Sequence, residues 1–277
     1  MSIAQPLKFQ RPFLKWAGGK FRLLPKILHH LPQGKKLIEP FVGSGVVFLN
    51  ADYDRYLLAD INPDLINLFR DLKRGKTSFI HYCANYFTEA NNKEKRFYEL
   101  REYFNQLEAG KERSALFLYF NRHGYNGLCR YNRSGGFNVP FGRYKRPYFP
   151  GHELEVFAAK AQKAEFRCQN FRQSFNASRN GDVVYCDPPY LPQSLTANFT
   201  DYTKQGFSYD QQAELGFLAE RAQGKGVFTA ISNHDTLVAR EIYHRASTVL
   251  HFDVQRFISC DGNNRSKAKE LLALYKS

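Results

Sequence analysis

Four consecutive residues, Asp187-Pro188-Pro189-Tyr190, combine a carboxylate, two ring-locked backbone units and a phenol ring. They follow the apolar run Asp182-Val183-Val184-Tyr185-Cys186, which reads as a buried strand. The tetrapeptide is therefore expected in a loop at the carboxyl end of that strand, where open α/β sheets place their chemistry. The two prolines fix φ and remove two backbone donors, which holds the carboxylate, the Pro188 carbonyl and the Tyr190 ring in one mutual arrangement. That arrangement suits a planar amine. An amino group on a heterocycle can give one hydrogen to Asp187 and one to a backbone carbonyl while its ring stacks on Tyr190, leaving the nitrogen as a nucleophile. Taken alone, the four residues could also be a Pro-rich turn after a strand.

A second constellation lies upstream. Leu37-Ile38-Glu39-Pro40-Phe41-Val42-Gly43-Ser44-Gly45 reads as a short strand entering a glycine turn before the apolar run Val46 to Leu49. Glycines there let a ligand approach the backbone. The run Arg55 to Asp60 reads as a second strand ending in an acid, at a point where an acid commonly binds ribose hydroxyls. The absence of a third glycine argues against a pyrophosphate cradle and favours an adenosine-containing ligand without one. Gly43 and Gly45 could equally make a tight turn, and Asp60 could cap a helix starting near Pro63.

The elements that must hold these residues fall into three stretches. After Asp60 helical patterns dominate, over Asp64 to Lys73, Thr77 to Thr88, Lys93 to Leu107 and Glu112 to Asn121. From about residue 152 strands and helices alternate again, with helices over Val156 to Lys163 and Tyr209 to Ala222 and strands over Asp182 to Cys186 and Gly226 to Ser232. The expected organisation is a catalytic core of residues 1–62 and 151–277, with residues 63–150 inserted as a mainly helical subdomain. No internal repeat or low-complexity linker occurs, so the insertion is expected to pack rather than hang from a tether.

At 277 residues with 43% hydrophobic residues the chain can bury a core. Forty Lys and Arg against 26 Asp and Glu give a formal charge of +14, which predicts attraction to a polyanion. A merely basic protein would share that charge. The cations are unevenly placed: from Arg113 through His152 there is no Asp or Glu, while Arg113, Arg122, Arg130, Arg133, Arg143, Lys145 and Arg146 all fall there. The same segment carries Tyr119, Tyr125, Tyr131, Phe137, Tyr144 and Tyr148 among several glycines. Cations address phosphates and guanine edges, and rings offer stacking faces to displaced bases. Phe137 and Phe141 are expected in the core instead.

The five cysteines, Cys83, Cys129, Cys168, Cys186 and Cys260, are widely spaced and form no Cys-x-x-Cys pair, so neither a disulfide framework nor a zinc site is expected. The histidines show no His-x-x-x-His pair, and His29-His30 reads as a solvated helix face. No metal is expected. No apolar h-region precedes Trp16 and no apolar run approaches about 18 residues, so the expectation is a cytoplasmic protein without signal peptide or membrane span.

Phe13-Leu14-Lys15-Trp16-Ala17-Gly18-Gly19-Lys20, Glu39 to Gly45, Leu58-Ala59-Asp60-Ile61-Asn62, Asn121 to Tyr144, Asp187 to Tyr190 and Ile231-Ser232-Asn233-His234-Asp235 together resemble the DNA adenine methyltransferase (Dam) family. The likeness runs nearly end to end, with the glycine motif first, then a long insertion, then Asp-Pro-Pro-Tyr. It implies an α/β, Rossmann-like methyltransferase core with an inserted DNA-recognition domain. It also implies S-adenosylmethionine as donor and the exocyclic amine of adenine in double-stranded GATC, flipped from the duplex, as acceptor. No oligomer is implied, and a monomer is the expectation. The polar stretch Ser259 to Arg265 departs from the pattern, and the resemblance gives it no role.

Residue by residue, the resemblance implies that Asp187 and the Pro188 carbonyl accept the amine hydrogens and that Tyr190 stacks on the adenine. Trp16, Lys20, Phe41, Gly43, Gly45, Asp60 and Asp187 would border S-adenosylmethionine, with Trp16 packing on it, Lys20 pairing with its carboxylate and Asp60 holding its ribose. Trp16 could also anchor a core, and Lys20 could open a solvated helix. On the DNA side, Arg130 would read a guanine edge and Leu128 and Pro140 would make apolar base contacts. Lys15 would reach an outer base pair, Tyr125 and Asn126 would enter the stack left by the flipped base or hold its orphaned partner, and Arg143 would join the contact surface. For Leu128, base contact and packing beneath the loop stand level. Methylation of cytosine or of RNA, and a catalytically silent DNA-binding protein, are the competing readings; labelled methyl transfer to DNA against RNA separates them.

Overall fold

The computed structural model describes residues 9–190, 207–254 and 268–276. Along the chain the elements run α1 (Leu24–His30), β1 (Leu37–Glu39), α2 (Val46–Asn50), β2 (Tyr56–Asp60), α3 (Pro63–Ala84), α4 (Glu94–Gln106), α5 (Lys111–His123), α6 (Gly151–Lys160), β3 (Ala164–Cys168), α7 (Phe171–Asn176), β4 (Val183–Cys186), α8 (Tyr209–Gln223), β5 (Phe228–His234), α9 (Leu237–Ile242), β6 (Thr248–Val254) and β7 (Ala268–Tyr275). They form two compact units: one takes the residues up to Phe21, Gly43–Asp52 and Asn62–Cys168, the other Arg22–Val42, Tyr53–Ile61 and the residues from Gln169 on. Cys260 and the Ser259 to Arg265 stretch lie outside the described residues.

The second unit is the α/β sheet expected from the sequence. Its strands stand in the order β2-β1-β4-β5-β7-β6. Strands β2, β1, β4 and β5 are parallel, whereas β7 runs antiparallel to both β5 and β6. Every residue of β1 and β4 is buried, which is why these strands read as continuous apolar runs instead of alternating ones. Ile38, Leu57, Val184 and Ile231 share one core with Leu215 and Ala219 of α8 and with Ala239 and Tyr243. The chain leaves β1 for β2 on one side and returns to β4 on the other, making β1 and β4 the topological switch point of this doubly wound, Rossmann-like sheet.

The first unit is mainly helical. Asn62 caps α3 by accepting from the Asp64 and Leu65 amides at 3.0 and 3.2 Å, and Pro63 supplies the first helical position. The two helical patterns read between Asp64 and Thr88 are one element with a break at Lys76, whose φ of 45° is not helical. Its core is a cluster of rings, including Phe69 on Phe157 at 4.7 Å and Phe97 on Phe120 at 5.2 Å between centroids. Phe137 is buried as expected and Phe141 is half-buried.

Several residues of the acid-free segment depart from their expected exposure; Tyr131, for one, gives its hydroxyl to the buried Asp64 carboxylate at 2.6 Å. Arg113 turns inward and grips the buried Asp64 carboxylate at 2.6 and 3.0 Å, so it is not a phosphate contact. Tyr119 is wholly buried, with its hydroxyl given to the Asn91 carbonyl at 2.5 Å, so it is not a stacking face. Both partners lie far off in sequence, and a buried charge or hydroxyl without a partner would be costly.

His123 lies in the same core, its Nδ1 at 3.0 Å from the Tyr119 carbonyl and its ring stacked 4.0 Å from that of Tyr119. Burial, joined by the Lys15 and Arg122 charges, lowers its pKa from the ordinary 6.5 to about 4. The unfolded chain therefore binds more protons between those values. The stability from the neutral ring is complete above about pH 6.5 and is lost as pH falls toward 4, by on the order of 3 kcal/mol. Urea midpoints at pH 7 and pH 5 should show about 2 kcal/mol of that loss in the wild type and much less of it in His123→Phe. Parallel pH slopes would contradict it.

Candidate active site and recognition surface

The Asp187–Tyr190 loop leaves the carboxyl end of β4, beside the ends of β1 at Glu39 and β5 at His234. Pro188 is buried, Asp187 and Tyr190 are half-buried, and Pro189 is exposed. The Tyr190 hydroxyl donates to Glu270 Oε2 at 3.1 Å, and its ring meets that of His234 edge-on at 4.5 Å. Glu270 reaches this end of the sheet because β7 pairs it with His234.

Three hydroxyl and thiol groups beside Asp187 are held protonated. Burial, then the Asp187 and Glu270 charges, push the Tyr190 phenol well up. Burial and Asp187 do the same to Tyr185, whose hydroxyl lies 2.9 Å from Ser232 Oγ. The buried Cys186 thiol is likewise raised, first by burial and then by Asp187, so it is poorly suited to attack. The loop thus offers a carboxylate, carbonyls and a tethered ring, a set that receives hydrogens.

In the same unit Asp60 ends β2 half-buried, its carbonyl accepting from the Gln169 amide at 3.1 Å. Phe41 stacks on Phe171 at 5.7 Å and meets Phe207 edge-on at 5.4 Å. In the first unit Trp16 lies against Gly43. A Cβ there would sit 2.8 Å from the indole Nε1, and φ is +47°, so both space and backbone require glycine. Gly45, also left-handed at φ 70°, caps α2. Lys20 is buried, not solvated, and donates to the Gly18 carbonyl at 2.7 Å.

The predicted DNA residues gather in the first unit. The buried Asn121 ties the Lys15 backbone at 2.9 and 2.7 Å and the Gly127 carbonyl at 3.2 Å. Gly127, at φ +65°, admits Lys15 so closely that a Cβ would lie 2.3 Å from the Lys15 Cβ. Lys15 Nζ stands 4.1 Å over the Tyr144 ring, and the Tyr144 hydroxyl accepts from the Asn126 amide at 3.0 Å. The Tyr125 amide donates to the Pro140 carbonyl at 2.9 Å and the Leu128 amide to that of Tyr125 at 3.1 Å. Tyr125, Asn126, Pro140 and Arg143 are exposed, while Leu128 is half-buried. Asn126 and Arg143 both hold positive φ, 53° and 51°, which is uncommon for residues with side chains other than Asn, Asp and His.

Arg130 is exposed and held by one partner: Nε donates to Asn138 Oδ1 at 2.8 Å and Nη2 to the Asn138 carbonyl at 3.1 Å. That contact takes one edge of the guanidinium and leaves Nη1 directed elsewhere. Arg133, Lys145 and Arg146 also face outward, while Arg122 is turned to the Phe13 and Tyr148 carbonyls at 3.3 and 3.0 Å. Among the described residues, no group of three His, Cys, Asp or Glu could hold a metal ion.

Residues 16–258 match the family model described as D12 class N6 adenine-specific DNA methyltransferase. The chain belongs to that family. It is 51% identical over 270 residues to the DNA adenine methylase of Vibrio cholerae serotype O1, covering 97% of both chains. It is 51% identical over 271 residues to the DNA adenine methylase of Escherichia coli (strain K12), and 52% identical to that of Salmonella typhi, in each case covering 98% of this chain and 97% of the other. Among solved structures, the delta-N METTL16 MTase domain aligns at 8% identity and a TM-score of 0.43, over 97% of this chain and 87% of that one, too distant to add to the assignment.

Three residues that hold those expected at the site are given no role in the expectations drawn from the motifs. Asn121 and Asn138 hold Lys15 and Arg130, and Glu270 tethers Tyr190. Their partners lie 106, 8 and 80 residues away, and only Asn138, one turn of a loop from Arg130, could have been suspected from spacing.

Proposed function

We propose that this methyltransferase transfers the methyl group of S-adenosylmethionine to N6 of a flipped adenine in double-stranded GATC, in the cytoplasm. The observation that carries the reading is the Asp187–Tyr190 loop at the switch point of the parallel sheet, rich in acceptors and with no proline N–H to compete for them. Asp187 and the Pro188 carbonyl accept hydrogen bonds from the two amine hydrogens, which favours a pyramidal nitrogen with its lone pair free, and one proton leaves only after the methyl group has joined the nitrogen. Fixed acceptors stabilise the positive charge that grows on the amine. The Tyr190 ring, set by its hydroxyl bond to Glu270, is the stacking face for the base.

S-adenosylmethionine supplies a methyl group on a leaving group that departs as a neutral thioether. The donor set fits it: Asp60 is a carboxylate placed for ribose hydroxyls and Phe41 an aromatic neighbour, while Trp16 on the bare Gly43 backbone, Gly45 and the Lys20 ammonium are individually suited to its ring and carboxylate. Asp60→Ala and Trp16→Ala are each expected to weaken its binding in a fluorescence or calorimetric titration.

Residues 63–150, all inside the first unit, are the proposed recognition domain, and 1–62 with 151–277 the catalytic part. Within it Arg130 reads guanine, Leu128 and Pro140 make apolar base contacts, Tyr125 and Asn126 enter the stack or hold the orphaned partner base, and Arg143 joins the contact surface, while Lys15, from the catalytic part, reaches an outer pair. Plasmid treated with protein and donor should resist an endonuclease blocked by methylated GATC and yield to one that tolerates it; a plasmid cut by both would overturn the GATC reading. Affinity for duplex should also fall steeply with salt, with a log-log slope of about −0.9 per neutralised phosphate. A flat salt profile would contradict the basic-surface argument.

A further inference from the structure

In the loop that carries Asp187, two of four residues, Pro188 and Pro189, bring no N–H with which to fix the backbone between them. The Pro189 carbonyl accepts from Gln212 Nε2 at 2.7 Å. Gln212, Asn233 and Tyr243 are all wholly buried. Gln212 Oε1 accepts from Asn233 Nδ2 at 3.0 Å and from the Tyr243 hydroxyl at 2.6 Å, and Asn233 Nδ2 also reaches the Tyr243 oxygen at 3.2 Å. Asn233 Oδ1 in turn accepts from the His234 amide at 2.8 Å.

The direction of this chain follows from its two ends. The His234 amide can only donate, so it fixes the oxygen of Asn233 toward itself and turns Nδ2 to Gln212. Gln212 must then present Oε1 to Asn233, which leaves Nε2 for the Pro189 carbonyl, a group that can only accept. Each amide has one permitted orientation, and the network runs from the end of β5 into the proposed catalytic loop. An amide buried for packing alone would be costly beside a leucine or methionine of similar size. Here its Nε2 donor goes to the carbonyl of Pro189, the second of two consecutive loop positions without an N–H.

We infer that Gln212, set by Asn233 and Tyr243, is a positioning residue for methyl transfer: it holds the Pro189–Tyr190 peptide plane, and through it the Pro188 carbonyl and the Tyr190 ring, in the geometry that receives the amine. The inference rests on the role proposed for the Asp187–Tyr190 loop. None of the three side chains is placed on substrate or donor, so their loss should act on the transfer step and spare both binding steps.

The test is single-turnover methylation of a GATC duplex by the full chain with saturating S-adenosylmethionine, alongside equilibrium affinities for duplex and for donor. Gln212→Met, similar in size but unable to donate, is expected to lower the transfer rate about 10- to 100-fold while both affinities stay within about twofold. A rate within about twofold of wild type, or a loss of both affinities in step with the rate, overturns the inference. If Gln212→Met does not fold, Tyr243→Phe removes one hydroxyl and leaves Gln212 bonded to Asn233. It should slow transfer about three- to tenfold at unchanged affinities, and an unchanged rate would be equally fatal. Wild-type protein that methylates an adenine outside GATC defeats the site-specificity reading alone, and the variants are then compared on that duplex.

Discussion

Asp187→Ala is expected to abolish methyl transfer, by about three orders of magnitude or more, while affinity for duplex DNA survives. The carboxylate leaves the end of β4 with Tyr185, Cys186 and Tyr190 beside it, all held protonated. As neutral hydroxyls and a thiol these are weaker acceptors than a carboxylate aimed at the amine. The outward cations Arg130, Arg133, Arg143, Lys145 and Arg146 belong to a different part of the chain, and binding to phosphates needs no carboxylate. Asp187→Asn keeps an acceptor oxygen but not its charge, and should fall between wild type and alanine because charge-assisted bonds are roughly twice as strong. Rapid-quench transfer and fluorescence anisotropy on the same duplex separate the two quantities. Alanine turnover near wild type, or a parallel loss of duplex affinity, would remove Asp187 from the proposed role.

Arg130→Ala is expected to relax specificity. A bidentate guanine contact is worth on the order of 1–3 kcal/mol of discrimination, roughly five- to 150-fold, so the variant should methylate a guanine-substituted site nearly as well as GATC. Asn138 grips the Nε edge of the guanidinium, and the fork is thereby presented in one orientation instead of sweeping freely. An arginine that binds phosphate would behave otherwise: its loss would weaken all sequences about equally and lower the salt slope by about one. The ratio of kcat/KM for the two sites, in wild type and variant, decides between them. An unchanged ratio leaves Arg130 a positioning contact.

What the sequence revealed of this fold was whatever depends on neighbours along the chain. The β4 run ends where its apolar residues end, and the break in α3 falls between the two helical patterns because the chain turns at Lys76. Gly43 and Asp60 could be placed because turn and strand end are local. Arg113 was misplaced because its carboxylate, Asp64, lies 49 residues upstream, and a charge run carries no sign of a distant partner. Gln212 gave no signal at all, being a polar residue on a helix whose use depends on three other elements. β7 is the clearest case. Ala-Lys-Glu-Leu-Leu-Ala-Leu-Tyr is made mostly of good helix formers, and only pairing on both sides holds it extended.

That placement of β7 bears on the order in which the sheet can be completed during synthesis. β6 joins the sheet through β7, and since β7 is antiparallel to both neighbours, β6 points the same way as β5. When β6 has been made and β7 has not, the edge of β5 lies open, and β5, α9 and β6 have the makings of an ordinary right-handed crossover that would seat β6 directly on β5. The native arrangement leaves that slot for a strand made later. Its arrival places Glu270 opposite His234, within reach of the Tyr190 hydroxyl. A nascent chain that filled the slot early would have a sheet of plausible form and no Glu270 beside Tyr190, so the proposed site is complete only when β7 holds its place between β5 and β6.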